Sequence, residues 1–196
     1  MVTRSIINAK KSGVKNMSKI LVITTSLRAR SNSDILAERM IEGAHDAGHE
    51  VEKISLKGKQ IKFCIGCMSC QRTHKCVQKD DAAEIAEKVR RADTLVFVTP
   101  IYYYEMSGQM KTLLDRMNPL YSSDYSFRRV YMMSVAADNA GYTPERAENG
   151  LKGFIECFEK AEFSGSRFFG GINDAGEASD KPDALTDAYL FGKSLK

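Results

Sequence analysis

The chain has no run of apolar residues near the roughly 20 that a membrane-spanning helix needs. Its basic opening, MVTRSIINAKKSGVKN, lacks the apolar stretch of a secretory signal. These absences lead to the expectation of a cytoplasmic protein with no membrane partner, in a compartment where thiols stay reduced and stable disulfides are rare. There is no internal repeat, low-complexity tract or interdomain linker, so the 196 residues read as one domain, large enough for a single core. Residues 1–16 read as a flexible extension before a domain at 17–196, with Met17 as a second candidate start. GxGxxG is missing, which disfavours a Rossmann pyrophosphate site, and GxxxxGK[ST] is missing, which excludes an NTPase P-loop. Histidines number three. His45 and His49 flank a helix-to-strand turn and read as solvated. His74 reads as a loop residue rather than a ligand. No His dyad offers a general base. The net charge of +4 suits an anionic ligand but is no nucleic-acid footprint.

What is present is alternation. KILVITTS (19–26) is an apolar, β-branched run, as in a strand buried on both faces. Asn32 or Ser33 is placed to cap a helix running to about Ala47, with Leu36, Met40 and Ala44 on its inner face. Residues 49–56 read as a second strand. Asp80 or Asp81 caps a helix with Ile85 and Val89 inward. TLVFVTP (94–100) is the central strand. Ser107 caps a helix through Met117. Strands at 128–137 and 166–171 and helices at 146–162 and 182–194 complete the set. Five strands alternating with five helices specify a parallel sheet covered on both faces. In such a sheet ligands bind beyond the carboxyl ends of the strands, where the winding reverses. That points to the loops after strands one, three and four.

SLRARSNS (26–33) combines Ser26, Ser31, Asn32 and Ser33 with Arg28 and Arg30 at a helix N-terminus. Backbone N–H groups, hydroxyls and a guanidinium make an anion site, and a phosphate monoester fits best. The plainer reading is a solvated loop with an ordinary cap. TPIYYYEMSGQMK (99–111) carries three consecutive tyrosines. In an extended stretch neighbours alternate direction, so at least one faces the cleft and suits a flat ring. The alternative is that they pack under the next helix or form a subunit contact. DNAGYTP (138–144) reads as a polar turn. Cys64, Cys67, Cys70 and Cys76 have the spacing C-x2-C-x2-C-x5-C. Structural zinc usually pairs its ligands across a longer span, and this run is closer to [4Fe–4S] ligation. Free thiols and disulfides remain as alternatives. Cys157 reads as a core or spare thiol.

MSKILVITTSLRARSNS, the CxGCxxC segment followed by KDD, and VFVTPIYYYEMSGQMKTLLDR together resemble the flavodoxin-like NADPH-dependent FMN reductase family, nearest its iron–sulfur flavoprotein branch. The resemblance implies a single flavodoxin-like domain with a five-stranded parallel sheet in the order 2-1-3-4-5. It implies FMN, with its phosphate on Ser26, Arg28, Ser31, Asn32 and Ser33. Pro100, Ile101, Tyr102, Tyr103 and Tyr104 would line the isoalloxazine, with Ser107 near its edge. The loop from Asp138 through Gly141 to Tyr142 would approach the other side. It also implies an NAD(P)H donor, or a reduced ferredoxin-like protein, a small-molecule or protein acceptor, and a homodimer or higher oligomer. A [4Fe–4S] cluster on Cys64, Cys67, Cys70 and Cys76 would sit on the rim that holds the flavin. The T-x-T-G-x-T type loop of electron-carrier flavodoxins is absent. A cluster-free quinone or nitroaromatic reductase is the alternative enzyme, and a non-catalytic flavin carrier the alternative from another class.

Overall fold

The structure is a computed structural model that describes residues 17–121 and 123–196. The extension expected over residues 1–16 lies outside the described residues. The elements are β1 (Lys19–Thr24), α1 (Asn32–Asp46), β2 (Glu50–Ser55), α2 (Ser69–Thr73), α3 (Ala82–Arg91), β3 (Thr94–Tyr102), β4 (Glu105–Met106), α4 (Gly108–Asp115), β5 (Arg129–Val135), α5 (Glu145–Ile155), β6 (Glu162–Phe169) and α6 (Pro182–Ser194). The sheet runs β2-β1-β3-β5-β6 with every neighbour parallel. The two-residue β4 only folds back on the end of β3. Without it the order is the expected 2-1-3-4-5.

Strand side chains alternate between two cores, because successive residues point to opposite faces. Leu21, Ile23, Leu95, Phe97, Val130 and Met132 meet α3, α4 and α5 on one face. Ile20, Val22, Val96, Val98 and Met133 meet α1 and α6 on the other. The winding reverses between β1 and β3, which opens a crevice at their carboxyl ends. On the second face α1 and α6 touch backbone to backbone: a Cβ on Gly192 would run into the Met40 carbonyl, and one on Gly43 into that of Tyr189.

Several boundaries differ from expectation. The cap of α1 is Ser31, whose hydroxyl accepts from the Asp34 amide at 3.2 Å; Asn32 is already helical and its amide is used elsewhere. The α5 helix stops at Ile155, and Phe158 turns in to join Tyr125, Phe127 and Phe154 in an aromatic cluster. The β6 strand begins at Glu162, four residues early. It is an edge strand bulged opposite Val130/Tyr131, so its first half shows little apolar signal. His49 is buried rather than solvated. Its Nδ1 accepts from the Ser18 amide at 3.2 Å and its Nε2 lies 3.1 Å from the Leu195 carbonyl.

Candidate cofactor site

The loop Thr25–Ser31 joins β1 to α1, and the first amides of this 15-residue helix have no intrahelical acceptor. Ser26, Ser31 and Ser33 are buried around them. Ser31 and Ser26 each accept a backbone amide, from Asp34 at 3.2 Å and from Arg28 at 3.4 Å, which leaves their hydroxyl protons to donate. The cleft measures about 210 Å³. It is lined by these serines, Arg28 and Asn32 on one side and by Pro100, Ile101 and Tyr102 on the other, with Val135 to Ala137, Ile172 and Asn173 closing the floor.

The strap that carries Asn173 was not read from the sequence. It follows the last strand, outside the loops after strands one, three and four to which the reversal of winding points. Its signal was GINDAGEA, a string of turn formers like any surface loop. Asn32 clamps it, donating to the Asp174 carbonyl at 2.8 Å and accepting from the Ala178 amide at 3.0 Å. Arg28 donates to the Asn173 carbonyl at 2.5 Å. Glu177 accepts the Asn173 and Asp174 amides at 2.7 and 2.9 Å. Those two amides and Lys181 hold its carboxyl down at about 2. Asn32 therefore braces the strap, its side-chain amide spent on both faces. Arg30 also leans on the strap, its guanidinium packed over Gly176, and does not line the cleft.

The three tyrosines do not alternate. Tyr102 pairs with Glu105 and Ile101 with Met106, so Tyr103 and Tyr104 are the two central residues of a tight hairpin. Such a turn needs positive φ at both positions, and they have φ of 51° and 67°. Glycine or asparagine would take this shape at less cost. Tyr102 lines the cleft, while Tyr103 is 97% exposed. Tyr104 stacks on Tyr142 at 6.0 Å between ring centroids, with the Arg146 guanidinium over its ring. Ser107 is fully buried and away from the cleft lining. Its hydroxyl lies 2.8 Å from that of Thr25, receives that of Thr99 at 3.3 Å, and accepts the Met110 amide at 3.3 Å as the cap of α4. Asp138 accepts the Thr143 hydroxyl and the Ala140 amide, which hold its carboxyl below the usual range, and neither it nor Gly141 lines the cleft.

The cysteine segment sits elsewhere. No cysteine lines the cleft. Arg116, just past the C-terminus of α4, donates to Cys76 Sγ at 3.3 Å, and Asn118 donates to Cys70 Sγ at 3.1 Å. The Ser107 end of α4 adjoins Thr25 and Thr99 at the crevice. The eight-residue helix is about 12 Å long. Cys70 and Cys76 are thus anchored at the opposite end of α4 from Ser107, a helix length from the cleft rim where the thiols were expected. Cys64 and Cys67 are exposed, Cys70 is buried and Cys76 is half-buried. Among the described residues no three His, Cys, Asp or Glu side chains converge as a metal group. The donor chemistry nevertheless suits ligation by sulfur. Besides the two N–H···S bonds, the Ser69 amide and hydroxyl pull the Cys67 thiol below its usual value.

Residues 18–155 match the family described as NADPH-dependent FMN reductase. An iron–sulfur flavoprotein of Archaeoglobus fulgidus is 35% identical over 101 residues, covering 52% of this chain and 46% of that one. The chain spans about half the length of this relative and of a second one, from Methanocaldococcus jannaschii. The Bacillus subtilis protein YwqN, named as an NAD(P)H-dependent FMN-containing oxidoreductase, is 31% identical over 180 residues, covering 86% of this chain and 90% of that one. Among solved structures, an NAD(P)H:quinone oxidoreductase from Methanothermobacter marburgensis superposes with a TM-score of 0.74 at 17% identity, over 92% of this chain and 100% of that one. That likeness is one of fold.

Proposed function

Because the chain belongs to the NADPH-dependent FMN reductase family, we propose that it holds FMN in the cleft between β1 and β3 and works as an NAD(P)H-dependent flavin oxidoreductase. The observation that carries this reading is the donor set. Buried serine hydroxyls, helix-start amides and Arg28 surround one end of a cleft whose other wall is the flat Pro100–Tyr102 stretch. A phosphate suits the first and a planar ring the second. Bound there, FMN would take a hydride from a nicotinamide and return electrons to an acceptor. The chain's own part is to bind, orient and exclude water. Ser26, Ser31 and Ser33 donate O–H bonds, and Arg28 supplies the cation. The strap braced by Asn32 and Glu177 closes the floor. No protonatable side chain is needed at the cleft, and Asp138, held ionised by Thr143, is no proton store.

A [4Fe–4S] cluster on Cys64, Cys67, Cys70 and Cys76 is the second part of the proposal. The N–H···S donors to Cys70 and Cys76 support it, as does the likeness to relatives named iron–sulfur flavoproteins. Among the described residues no three His, Cys, Asp or Glu side chains converge, which suits the alternative, a cluster-free reductase of a quinone or nitroaromatic. A homodimer belongs to the same proposal: Phe63, Ile65, Met68 and Val77 on the cysteine segment are all more than half exposed, an apolar surface suited to cover by a second copy. The acceptor is a small molecule or a ferredoxin-like protein.

The test is anaerobic purification, followed by NADH and NADPH in turn with a quinone acceptor, and by iron and sulfide analysis. Bleaching of the flavin band by a nicotinamide and reoxidation by the quinone are expected. A flavin that neither nicotinamide reduces leaves a carrier. Iron near zero beside full FMN rejects the cluster and keeps the reductase.

A further inference from the structure

Tyr103 and Tyr104 hold the positive φ of the hairpin tip without the freedom of glycine. No burial offsets that strain at Tyr103, whose ring stands almost wholly in solvent. Strain that stability does not call for, beside a binding cleft, points to a ligand. The tip adjoins the cleft directly. Tyr102, one residue before it, lines the cleft, and so does Ala137, which leads into the loop that carries Tyr142. The Tyr104–Tyr142 stack thus ties the loops after β3 and β5 to each other at the cleft.

A cation belongs to the same group. Arg146 lies in the first turn of α5, where the helix dipole disfavours a positive charge. It is exposed, its guanidinium is 5.9 Å from the Tyr104 ring centroid, and among the described residues it has no ion-pair partner. Glu145 precedes it in sequence. Tyr104, and after it the Asp138 charge, push the Tyr142 phenol up. With these carboxylates near, the cation suits a monoanion better than a phosphate dianion.

We propose that Tyr103, Tyr142 and Arg146, set in place by the Tyr104 stack, dock the electron acceptor, a planar quinone bearing one anionic group. Its ring lies on tyrosine and its anion meets the guanidinium. This rests on the flavin oxidoreductase reading above. Each quinone becomes a hydroquinone by gaining two electrons and one proton, which NAD(P)H supplies as hydride, and a second proton from water.

The experiment uses the full chain with FMN bound, as wild type, Tyr103→Phe, Tyr103→Asn and Arg146→Gln. Asparagine accepts the positive φ, so Tyr103→Asn keeps the turn and loses the ring. A naphthalene sulfonate, planar and redox-inert, is titrated by calorimetry beside uncharged naphthol. KM is measured for an anthraquinone sulfonate and for uncharged menadione. Tyr103→Phe is expected to bind the sulfonate as the wild type does, and Tyr103→Asn about three- to tenfold more weakly. Arg146→Gln is expected to weaken the sulfonate about two- to fivefold and to leave naphthol unchanged. The KM values for the two quinones should follow the same division, with the flavin absorption of every variant that of the wild type. Equal sulfonate affinity across the FMN-loaded variants would overturn the inference alone, as would an Arg146→Gln protein that loses naphthol as much as sulfonate. A smaller oligomer for Tyr103→Asn on size exclusion would also overturn it and assign the ring to a subunit contact. Wild type that holds no FMN would reject the oxidoreductase reading, and the acceptor site with it.

Discussion

In the proposed FMN site Arg28 would set the affinity for the phosphate. Its guanidinium is exposed and rests on the Asn173 carbonyl, a neutral acceptor that an anion outcompetes. Arg28→Ala is expected to weaken FMN binding by about 1.5–3 kcal/mol and to leave riboflavin nearly unaffected. Equal losses for both, measured by fluorescence titration, would move the phosphate elsewhere. The tyrosines divide in the same way. Tyr102→Ala should alter the flavin absorption envelope and its potential, whereas Tyr103→Ala, which removes a side chain pointing into solvent, should alter neither. Glu177 titrates on its own scale. Its carboxyl is held at about 2, below its ordinary 4.5, by the Asn173 and Asp174 amides. A depressed carboxyl contributes stability that is present above its unfolded pKa and is lost as the pH falls through the folded one. Protection of those two amides from hydrogen exchange should therefore decline from about pH 4.5 toward about pH 2, and Glu177→Gln, which keeps an acceptor oxygen but cannot titrate, should lose that pH dependence.

Elements explain why some site residues were legible and others not. The serine-rich start of α1 and the strand end at Pro100 stood out, because a helix N-terminus and a parallel strand end have fixed chemistry. Ser107 was visible as a cap, but its turn inward, to Thr25 and Thr99, depends on two strands distant in sequence. Asn32, expected on the phosphate, lines the cleft while its side chain braces a strap more than 140 residues away. The tyrosine hairpin was missed because tyrosine is a poor sign of a positive-φ turn. Ser107→Ala should cost about 1–2 kcal/mol in urea unfolding through the lost cap, with FMN affinity unchanged once folded. Asp80→Asn should cost more. Burial by itself would push the Asp80 carboxyl up, and the Arg116 guanidinium outweighs it, so the net shift is down. With both side chains nearly inaccessible, removing one charge is expected to cost about 3–5 kcal/mol.

For the whole molecule, the alternation of strands and helices pointed to a parallel sheet with its cleft at the strand ends, whereas the order 2-1-3-4-5 came from the family resemblance and matches the observed β2-β1-β3-β5-β6. The placement of the cysteines did not follow, because a loop's path over the surface is set by long-range anchors such as Arg116 that carry no periodic signal. The central claim is that the cleft beside Ser26–Ser33 and Pro100–Tyr102 takes FMN by its phosphate. Its most direct measurement is a titration of flavin-free protein with FMN, riboflavin and inorganic phosphate, followed by flavin fluorescence. One FMN per chain, riboflavin at least about tenfold weaker (about 1.4 kcal/mol), and competition of phosphate with FMN but not with riboflavin are predicted. Equal affinity for FMN and riboflavin, or no flavin binding at all, would contradict it.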